Sequence, residues 1–323
     1  MQRALSTHVF LEHRLHPTLL DSLAAGGAEA VEIFAARQHF NYVNKSAVHA
    51  IGEYFRSSTL KPHSMHAPLF PDSEMGRAGA PYVNLVHPEK SRRVAAMDEI
   101  KRALEVAEQI PYKFLILHIG ERSTDWSSEL LDDALTAIEH LGAYARPLGV
   151  TLALENITNG ATEPAHLVTI LETGHFRSVG LCFDSGHALI YAAARARERS
   201  TNETAQGVTL VSREEVVSHY QSALSTMLPH IVTTHLHDND STRDAHLWPG
   251  DPAVAPDKSP PDKSSPDKSH DLPPTGIPWP LTMAALSDAP HQPAANLEIH
   301  YTLGEDPAQV SRRATETFRF LGL

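Results

Sequence analysis

The sequence has almost no cysteine, since Cys182 is the single thiol among 323 residues. A lone cysteine cannot form an intramolecular disulfide, and its neighbours Leu181 and Phe183 favour packing in a core. Long apolar runs are missing too, because stretches such as residues 114–117 are far shorter than a bilayer span. The N-terminal residues lead straight into charged ones and show no secretion signal. We therefore expect a cytoplasmic protein without a membrane partner.

Basic side chains are also scarce. The chain has 27 Lys and Arg against 39 Asp and Glu, a net charge of -12 with histidine neutral. Its longest basic runs are pairs such as Arg92-Arg93 and Arg312-Arg313. A chain of this kind repels phosphate backbones unless a local patch is strongly basic, so nucleic acid is not an expected partner. The hydrophobic content of 41% is enough for a full-sized core.

Short apolar runs alternate with helical patterns along the whole chain. Repeated strand and helix units of this kind form a parallel sheet, and eight of them predict a single (β/α)₈ TIM barrel over residues 1–323. An open doubly wound sheet would alternate in the same way, and the strand-end residues described below argue against it. The predicted strands are 6–11, 30–35, 62–67, 113–120, 150–157, 179–184, 231–238 and 296–301. The clearest predicted helices are 89–109, 132–146, 164–172, 213–227 and 306–321.

One segment breaks the alternation. Residues 249–280 hold ten of the 23 prolines and three copies of Pro-Asp-Lys-Ser. This composition cannot bury enough apolar surface to offset the entropy lost on ordering. The sequence therefore predicts a low-complexity mobile insertion at residues 251–274, in the loop after the seventh strand and within the single domain. An inert surface insertion is favoured over a lid.

Side chains that bind metals end six of the predicted strands. In a TIM barrel the carboxyl ends of the strands surround the active site. The six strand ends carry His66, His118, Glu155, Asp184 with His187, His235 with His237, and Glu298.

Three of these strand ends are carboxylates, which are costly to bury unless they are paired or coordinated. Glu155, Asp184 and Glu298 with one histidine would form a site of oxygen and nitrogen ligands for one Mn²⁺, Mg²⁺, Co²⁺ or Zn²⁺ ion. His235 and His237 lie two residues apart, so both point to one face of a strand. The later residue lies closer to the barrel mouth, and His237 is therefore preferred as the ligand, with His235 left open.

Four motifs resemble those of the xylose isomerase-like TIM barrels, a superfamily of sugar isomerases and epimerases that includes AP endonuclease family 2. They are Leu154-Glu155-Asn156, Asp184-Ser185-Gly186-His187, His235-Leu236-His237-Asp238 and Leu297-Glu298-Ile299. The resemblance covers nearly the whole chain apart from the insertion.

Ketose 3-epimerases of this superfamily imply one divalent metal on Glu155, Asp184, His237 and Glu298, with His187 touching the substrate. Their acid and arginine beyond the ligand histidine match Asp240 and Arg243. The extra substrate glutamate that those epimerases place after the first ligand is missing, since residues 157–159 hold none.

Endonuclease IV-type enzymes of the same superfamily imply a different site, with three zinc ions. The additional ligands would fall on His66, His118, His187, His235, Asp244 and His246. A DNA enzyme needs Lys and Arg to neutralise phosphates, and the acidic composition argues against that activity here.

The activity predicted from these residues is proton transfer next to a carbonyl, through an enediolate stabilised by the metal. Glu155 and Glu298 would act as base and acid on opposite faces of a sugar, sugar phosphate or polyol. The predicted substrate-binding residues are His187, Arg243, His66, His118 and Glu32. Glu32 is equally read as a buried structural carboxylate. The chain is thus predicted to be an isomerase or epimerase, with a related dehydratase, an abasic-DNA phosphodiesterase and a non-catalytic sugar binder as alternatives. The sequence leaves room for a homo-oligomer.

Overall fold

Strands and helices alternate from the first residues to the last. The structure, a computed structural model, describes residues 1–71, 81–203, 211–251, 276–300 and 306–323. The strands are β1 (Arg3–Ser6), β2 (Ala30–Phe34), β3 (Lys61–His66), β4 (Phe114–Leu117), β5 (Thr151–Glu155), β6 (Val179–Asp184), β7 (Ile231–His235) and β8 (Ala295–Leu297). The α-helices are α1 (Pro17–Ala25), α2 (Lys45–Ser57), α3 (Lys90–Leu104), α4 (Ser128–Ala145), α5 (Pro164–Gly174), α6 (Ser185–Glu203), α7 (Arg213–Met227), α8 (Trp279–Ser287) and α9 (Pro307–Phe320).

All eight strands are parallel and follow the order β7-β6-β5-β4-β3-β2-β1-β8. The two ends of this sheet meet through a parallel bridge between Leu236 and Leu297. There the Leu236 amide donates to the Asn296 carbonyl at 2.8 Å, and the Glu298 amide donates to the Leu236 carbonyl at 3.3 Å. The sheet therefore closes on itself, which confirms the (β/α)₈ TIM barrel and excludes the open doubly wound sheet.

The strand alternation separates two apolar layers. Leu115 and Leu117 of β4 belong to the large core formed with the surrounding helices. Between them in sequence, Ile116 instead packs with Ala153 and Cys182 in a separate small cluster. Successive strand residues point to opposite faces, so the carboxylates two positions after Ala153 and Cys182 face the same side as this inner cluster. No helix among the described residues is long and apolar enough to cross a membrane.

The first strand differs from the prediction. The predicted strand at residues 6–11 is wrong, because β1 ends at Ser6 and residues 7–10 form a 3₁₀ helix. The Ser6 hydroxyl accepts a hydrogen bond from the His8 amide at 3.3 Å, which caps this turn. The other seven predicted strands overlap observed ones.

The predicted insertion lies outside the described residues, except for Asp251. The carboxylate of Asp251 pairs with Arg313 of α9 at 2.6 Å. On the C-terminal side of the insertion, the Ile277 amide and the Trp279 indole donate hydrogen bonds to the Asp238 carboxylate at 3.3 and 3.1 Å. The residues on both sides of 252–275 are therefore attached to the barrel, on one side to α9 and on the other to the loop after β7.

The buried His39 makes stability depend on pH. Its side chain is 2% exposed and its Nδ1 lies 2.6 Å from the His13 carbonyl oxygen, while burial lowers its pKa from 6.5 to about 4. The unfolded chain therefore binds a proton that the folded chain rejects, so His39 costs stability as pH falls from 6.5 to 4 and has no such effect above 6.5.

We expect the folded state to lose about 3 kcal/mol through His39 over that window. His39→Gln should lack this component in urea unfolding measured at pH 7 and pH 4. His140→Gln changes an exposed histidine of α4 and is the matched control. Equal pH dependence of His39→Gln and the wild-type protein would contradict the assignment.

Candidate metal centre

Hydrogen bonds from side chains to the backbone fix the relative positions of the carboxyl ends of β5, β6 and β7. The Asn156 amide group donates to the Asp184 carbonyl at 2.9 Å and accepts from the Asp184 amide at 2.8 Å. The Ser185 hydroxyl donates to the His237 carbonyl at 2.9 Å and accepts from the His237 amide at 3.1 Å. These reciprocal pairs satisfy buried backbone groups where the ladder stops, so the strand ends keep their relative positions.

The Asp-Ser-Gly-His motif turns β6 directly into α6. A Cβ on Gly186 would lie 2.1 Å from Cε1 of His237, so only glycine fits beneath that ring. One residue later, the His187 amide donates to Oδ1 of Asp184 at 2.7 Å. The motif therefore directs both Asp184 and His187 toward the barrel mouth.

Four strand-end side chains form the central group, defined as Glu155, Asp184, His235 and Glu298. One ligand atom from each lies within 4.8 Å of the others, and none of the four residues is more than 3% exposed. Nδ1 of His235 is 3.0 Å from Glu298 Oε2, 3.2 Å from Glu155 Oε1 and 4.0 Å from Asp184 Oδ2. The carboxylates thus converge on one imidazole nitrogen.

The other nitrogen of His235, Nε2, contacts the buried carboxylate of Glu32 on the side away from the barrel mouth. Nε2 lies 3.1 Å from each Glu32 oxygen, and Glu32 also accepts from the Ser64 hydroxyl at 2.8 Å. Nδ1 is buried and has no hydrogen-bond partner among the described residues. When a carboxylate accepts a hydrogen bond from the N–H of one imidazole nitrogen, the other nitrogen is unprotonated and can bind a metal, as in many metal sites. Three carboxylates around that free nitrogen suit a divalent cation.

The geometry favours His235 over the predicted His237 as the histidine ligand. His237 Nε2 contacts the Asp184 oxygens at 2.9 and 3.0 Å, and its ring stacks on His246 with centroids 3.9 Å apart. It does not belong to the central group. The reason is that β7 ends at His235, so the alternation of a strand no longer governs the side chain two residues later.

Two flanking groups adjoin the central group. His66, His118 and Glu155 form the first, with Glu155 Oε2 at 3.0 Å from His118 Nε2 and 3.6 Å from His66 Nε2. The second contains His187, Asp244 and His246, in which Asp244 lies 3.0 Å from His187 Nε2 and 3.1 Å from His246 Nε2. Glu155 is shared between the central group and the first flanking group.

Charge is concentrated in these groups. Burial favours the neutral acid at Glu155 and Glu298, but the neighbouring His235 outweighs it and lowers the pKa of both carboxyls well below their usual range. Burial likewise disfavours the charged form of His187, yet Asp184 and Asp244 raise its pKa well above the usual value. In the absence of substrate Glu155 and Glu298 therefore stay ionised, and positive charge beside them stabilises that form.

A cavity of about 510 Å³ lies over the groups, a size that suits a small molecule. Its lining includes Glu155, Glu298, His66, His118 and His187. Arg122 is the single Lys or Arg among its described lining residues. Lys and Arg side chains therefore supply little of the positive charge in this cavity.

Two predicted substrate-binding residues lie elsewhere. Glu32 is fully buried and bonds to Ser64 and His235 rather than facing the cavity, so it lies beneath the site. Arg243 has a side chain 79% exposed, and its Nε donates to Asp240 at 3.1 Å. Asp240 also accepts from the Arg243 amide, which turns the arginine back onto its own loop.

Sequence reasoning missed His8 and Tyr82, which both line the cavity. His8 Nδ1 lies 3.1 Å from the Ile299 carbonyl oxygen, and His8 belongs to a candidate group with His246 and Glu298. It lies two residues past the end of β1, in the 3₁₀ turn that the sequence pattern did not predict. Tyr82, whose hydroxyl lies 2.9 Å from His118 Nδ1, carries no comparable sequence signal.

The comparisons with known proteins agree with this architecture. A family model described as xylose isomerase-like TIM barrel matches residues 20–320, and the chain belongs to that family. A curated relative, "Probable endonuclease 4" of Haloquadratum walsbyi, is 26% identical over 115 residues, which are 34% of this chain and 39% of the relative. The chain spans only about half the length, or less, of the curated relatives that it matches.

Solved structures show the same fold at low identity. A D-tagatose 3-epimerase-like protein has a TM-score of 0.68 and 18% identity, with 100% of this chain and 96% of that one covered. The IOLI protein with a binding zinc atom has a TM-score of 0.65 and 15% identity, with 100% and 96% covered.

The two histidines of β7 and the loop after it can be told apart by metal binding. We expect His235→Ala to weaken divalent metal binding at least tenfold, because it removes the nitrogen on which the carboxylates converge. His237→Ala should keep the wild-type affinity. Calorimetric titration of chelator-treated protein with Zn²⁺ or Mn²⁺ measures both, with circular dichroism to verify folding. Loss of metal affinity in His237→Ala, with the wild-type affinity kept in His235→Ala, would identify His237 as the ligand instead.

Proposed function

We propose that this member of the family is a divalent-metal-dependent isomerase or epimerase of a sugar, sugar phosphate or polyol. The observation that carries the proposal is that Glu155 and Glu298 both belong to the central group and both line one small cavity. They follow β5 and β8, which are three positions apart around the barrel. Two carboxylates at separate places around one substrate are what proton transfer between two carbon positions or faces requires.

Glu155, Asp184, His235 and Glu298 would hold the ion. When bound, a divalent ion there would polarise a substrate carbonyl and stabilise negative charge on its oxygens. The IOLI protein, which shares the fold, has been solved with a zinc atom, and this supports a metal in this chain.

The carboxylates of this chain would then move the proton. Glu155 would take the proton from the carbon next to the carbonyl, and Glu298, entering that turnover in its protonated form, would give its proton to carbon from its own side of the cavity. Proton exchange with water then resets both carboxyls, and the reverse reaction exchanges their roles. Return to the opposite face of the same carbon inverts that centre, whereas return to the neighbouring carbon exchanges aldose and ketose. The neighbouring D-tagatose 3-epimerase-like protein supports this class of reaction.

The cavity histidines would orient the substrate. The His66 ring is fixed by Nδ1, 2.8 Å from the Ala67 carbonyl oxygen, and by stacking on Phe34 at 4.5 Å between centroids. His118 is fixed by Tyr82 and His187 by Asp244. Rings held in this way offer directed hydrogen bonds to hydroxyl oxygens at little cost in side-chain entropy.

A second candidate function rests on the two flanking groups. Together with the central group they could hold three ions, and the relative named endonuclease 4 supports a phosphodiesterase acting on abasic DNA. The net charge of -12 and the single Arg in the cavity favour the carbohydrate enzyme.

Metal analysis separates the two candidates. The carbohydrate enzyme is expected to hold about one divalent ion per chain and to leave an abasic-site duplex uncut. Close to three zinc ions per chain, together with cleavage of that duplex, would support the phosphodiesterase instead.

Hydrogen exchange at carbon tests the reaction itself. With a panel of aldoses, ketoses and their phosphates in deuterated water, the metal-loaded protein should exchange one carbon-bound hydrogen of its substrate. Glu155→Gln and Glu298→Gln should each slow exchange at least 100-fold, because each removes a proton-transfer group. The measurement is the deuterium content of the sugar by NMR.

Glu139→Gln, at an exposed position of α4, is the matched control and should exchange at the wild-type rate. Absence of exchange across the whole panel, or full exchange by both active-site variants, would exclude the proposed reaction.

A further inference from the structure

A second pocket opens beside the cavity of the candidate metal centre. It has a volume of about 270 Å³ and lies between the loop after β5, at residues 156–164, and the first half of α6. Arg122, Ile157, Thr158 and His187 line both spaces. A molecule bound over the central group can therefore extend from the cavity into this side pocket.

Most polar side chains of the side pocket are already occupied by the protein. Asn159 donates to the carbonyls of Ile119 and Glu121 at 3.0 and 3.1 Å, and its oxygen accepts from the Thr162 amide and hydroxyl. Asn156 exchanges two bonds with the backbone of Asp184, as described above. Little hydrogen-bonding capacity remains for a ligand along these walls.

Glu163, at the same wall, forms an ion pair with Arg195 of α6. The negative charge nearest the side pocket is thereby compensated within the protein. The pocket consequently offers no strong attraction for a cationic group.

Apart from Arg122 and Thr158, which also line the cavity of the metal centre, the remaining walls are apolar. Ile157, Ile190 and Tyr191 are half-buried, but they do not belong to the hydrophobic core of the described residues. Pro164 and Ala194 complete this surface. Apolar walls of this kind are what gives a small-molecule pocket most of its contact area.

We propose that the side pocket binds an apolar or aromatic substituent of the substrate held at the metal centre. The natural substrate would then be a carbohydrate that carries such a group and still has a free carbonyl, for example a glycoside with a ketone on its sugar ring, rather than a free monosaccharide. This inference rests on the proposed function, because it places the sugar portion over the central group. The pocket supplies specificity through the substituent, while the histidines and carboxylates contact the sugar.

Pairs of glycosides test the proposal without turnover. Metal-loaded wild-type protein is titrated by calorimetry with the 4-nitrophenyl and methyl glycosides of glucose, galactose, mannose and xylose. For at least one sugar the nitrophenyl compound should bind tenfold more tightly or better, because its ring removes apolar surface from water in the side pocket.

Two variants locate the effect. Ala194→Trp fills the side pocket and should abolish the preference, whereas Ala50→Trp, at an exposed position of α2, should keep it. Ile190→Thr shortens the side chain and adds a hydroxyl to the wall, so it should reduce the preference severalfold if the tryptophan variant does not fold.

Equal affinity within every pair, no measurable binding of any glycoside, or a preference that survives both pocket variants would overturn the proposal. Its failure is distinguishable from failure of the proposed function. A protein that binds nitrophenyl glycosides through Ala194 and Ile190 but exchanges no carbon-bound hydrogen keeps the side pocket and loses the isomerase activity. A protein that exchanges hydrogen on free sugars but binds nitrophenyl and methyl glycosides equally well keeps the isomerase activity and loses the side-pocket proposal.

Discussion

Three carboxylates that face one imidazole nitrogen in the buried mouth of the barrel are the constraint on which the rest of the site depends. Carboxylates this close together and away from water are costly to keep without a positive charge beside them. His235 is the neighbour that the chain itself supplies. Its Nδ1 makes no hydrogen bond to the described residues, and a divalent ion at the centre of the group would complete its coordination.

The surrounding structure keeps that arrangement rigid. Asn156 and Ser185 tie the strand ends together through backbone groups, and Glu32 fixes the imidazole from beneath. Gly186 allows α6 to begin under a histidine ring. Each of these residues acts on the site through another one, which explains why motifs several residues long accompany each ligand in the sequence.

The cavity above the carboxylates limits what can bind. Its polar groups are mainly imidazoles and carboxylates with one guanidinium, which matches the hydroxyl groups of a carbohydrate better than the phosphates of a polymer. The side pocket adds apolar contact at one edge. Substrate choice in this chain would therefore depend on the groups attached to the sugar as well as on the sugar itself.

The alternation of apolar runs was enough to predict the barrel, and the structure brings most of the predicted site residues together at one end of it. Parity along a strand placed Glu155 and Asp184 on the inner face, since both belong to strands that continue up to those residues. Parity does not extend to His237, which lies past the end of β7, and nothing in the sequence shows that Asp240 holds the Arg243 side chain in solvent. His8 was missed because the end of β1 depends on a serine cap, and the side pocket arises from packing between β5 and α6 that no local pattern encodes.

Anomalous diffraction from crystals grown with Mn²⁺ or Zn²⁺ tests the central claim most directly. The account predicts a peak bonded to Glu155, Asp184, Glu298 and Nδ1 of His235, with ligand distances of roughly 2.0–2.2 Å for zinc. An ion bound elsewhere, or these four side chains left without one at saturating metal, would contradict it.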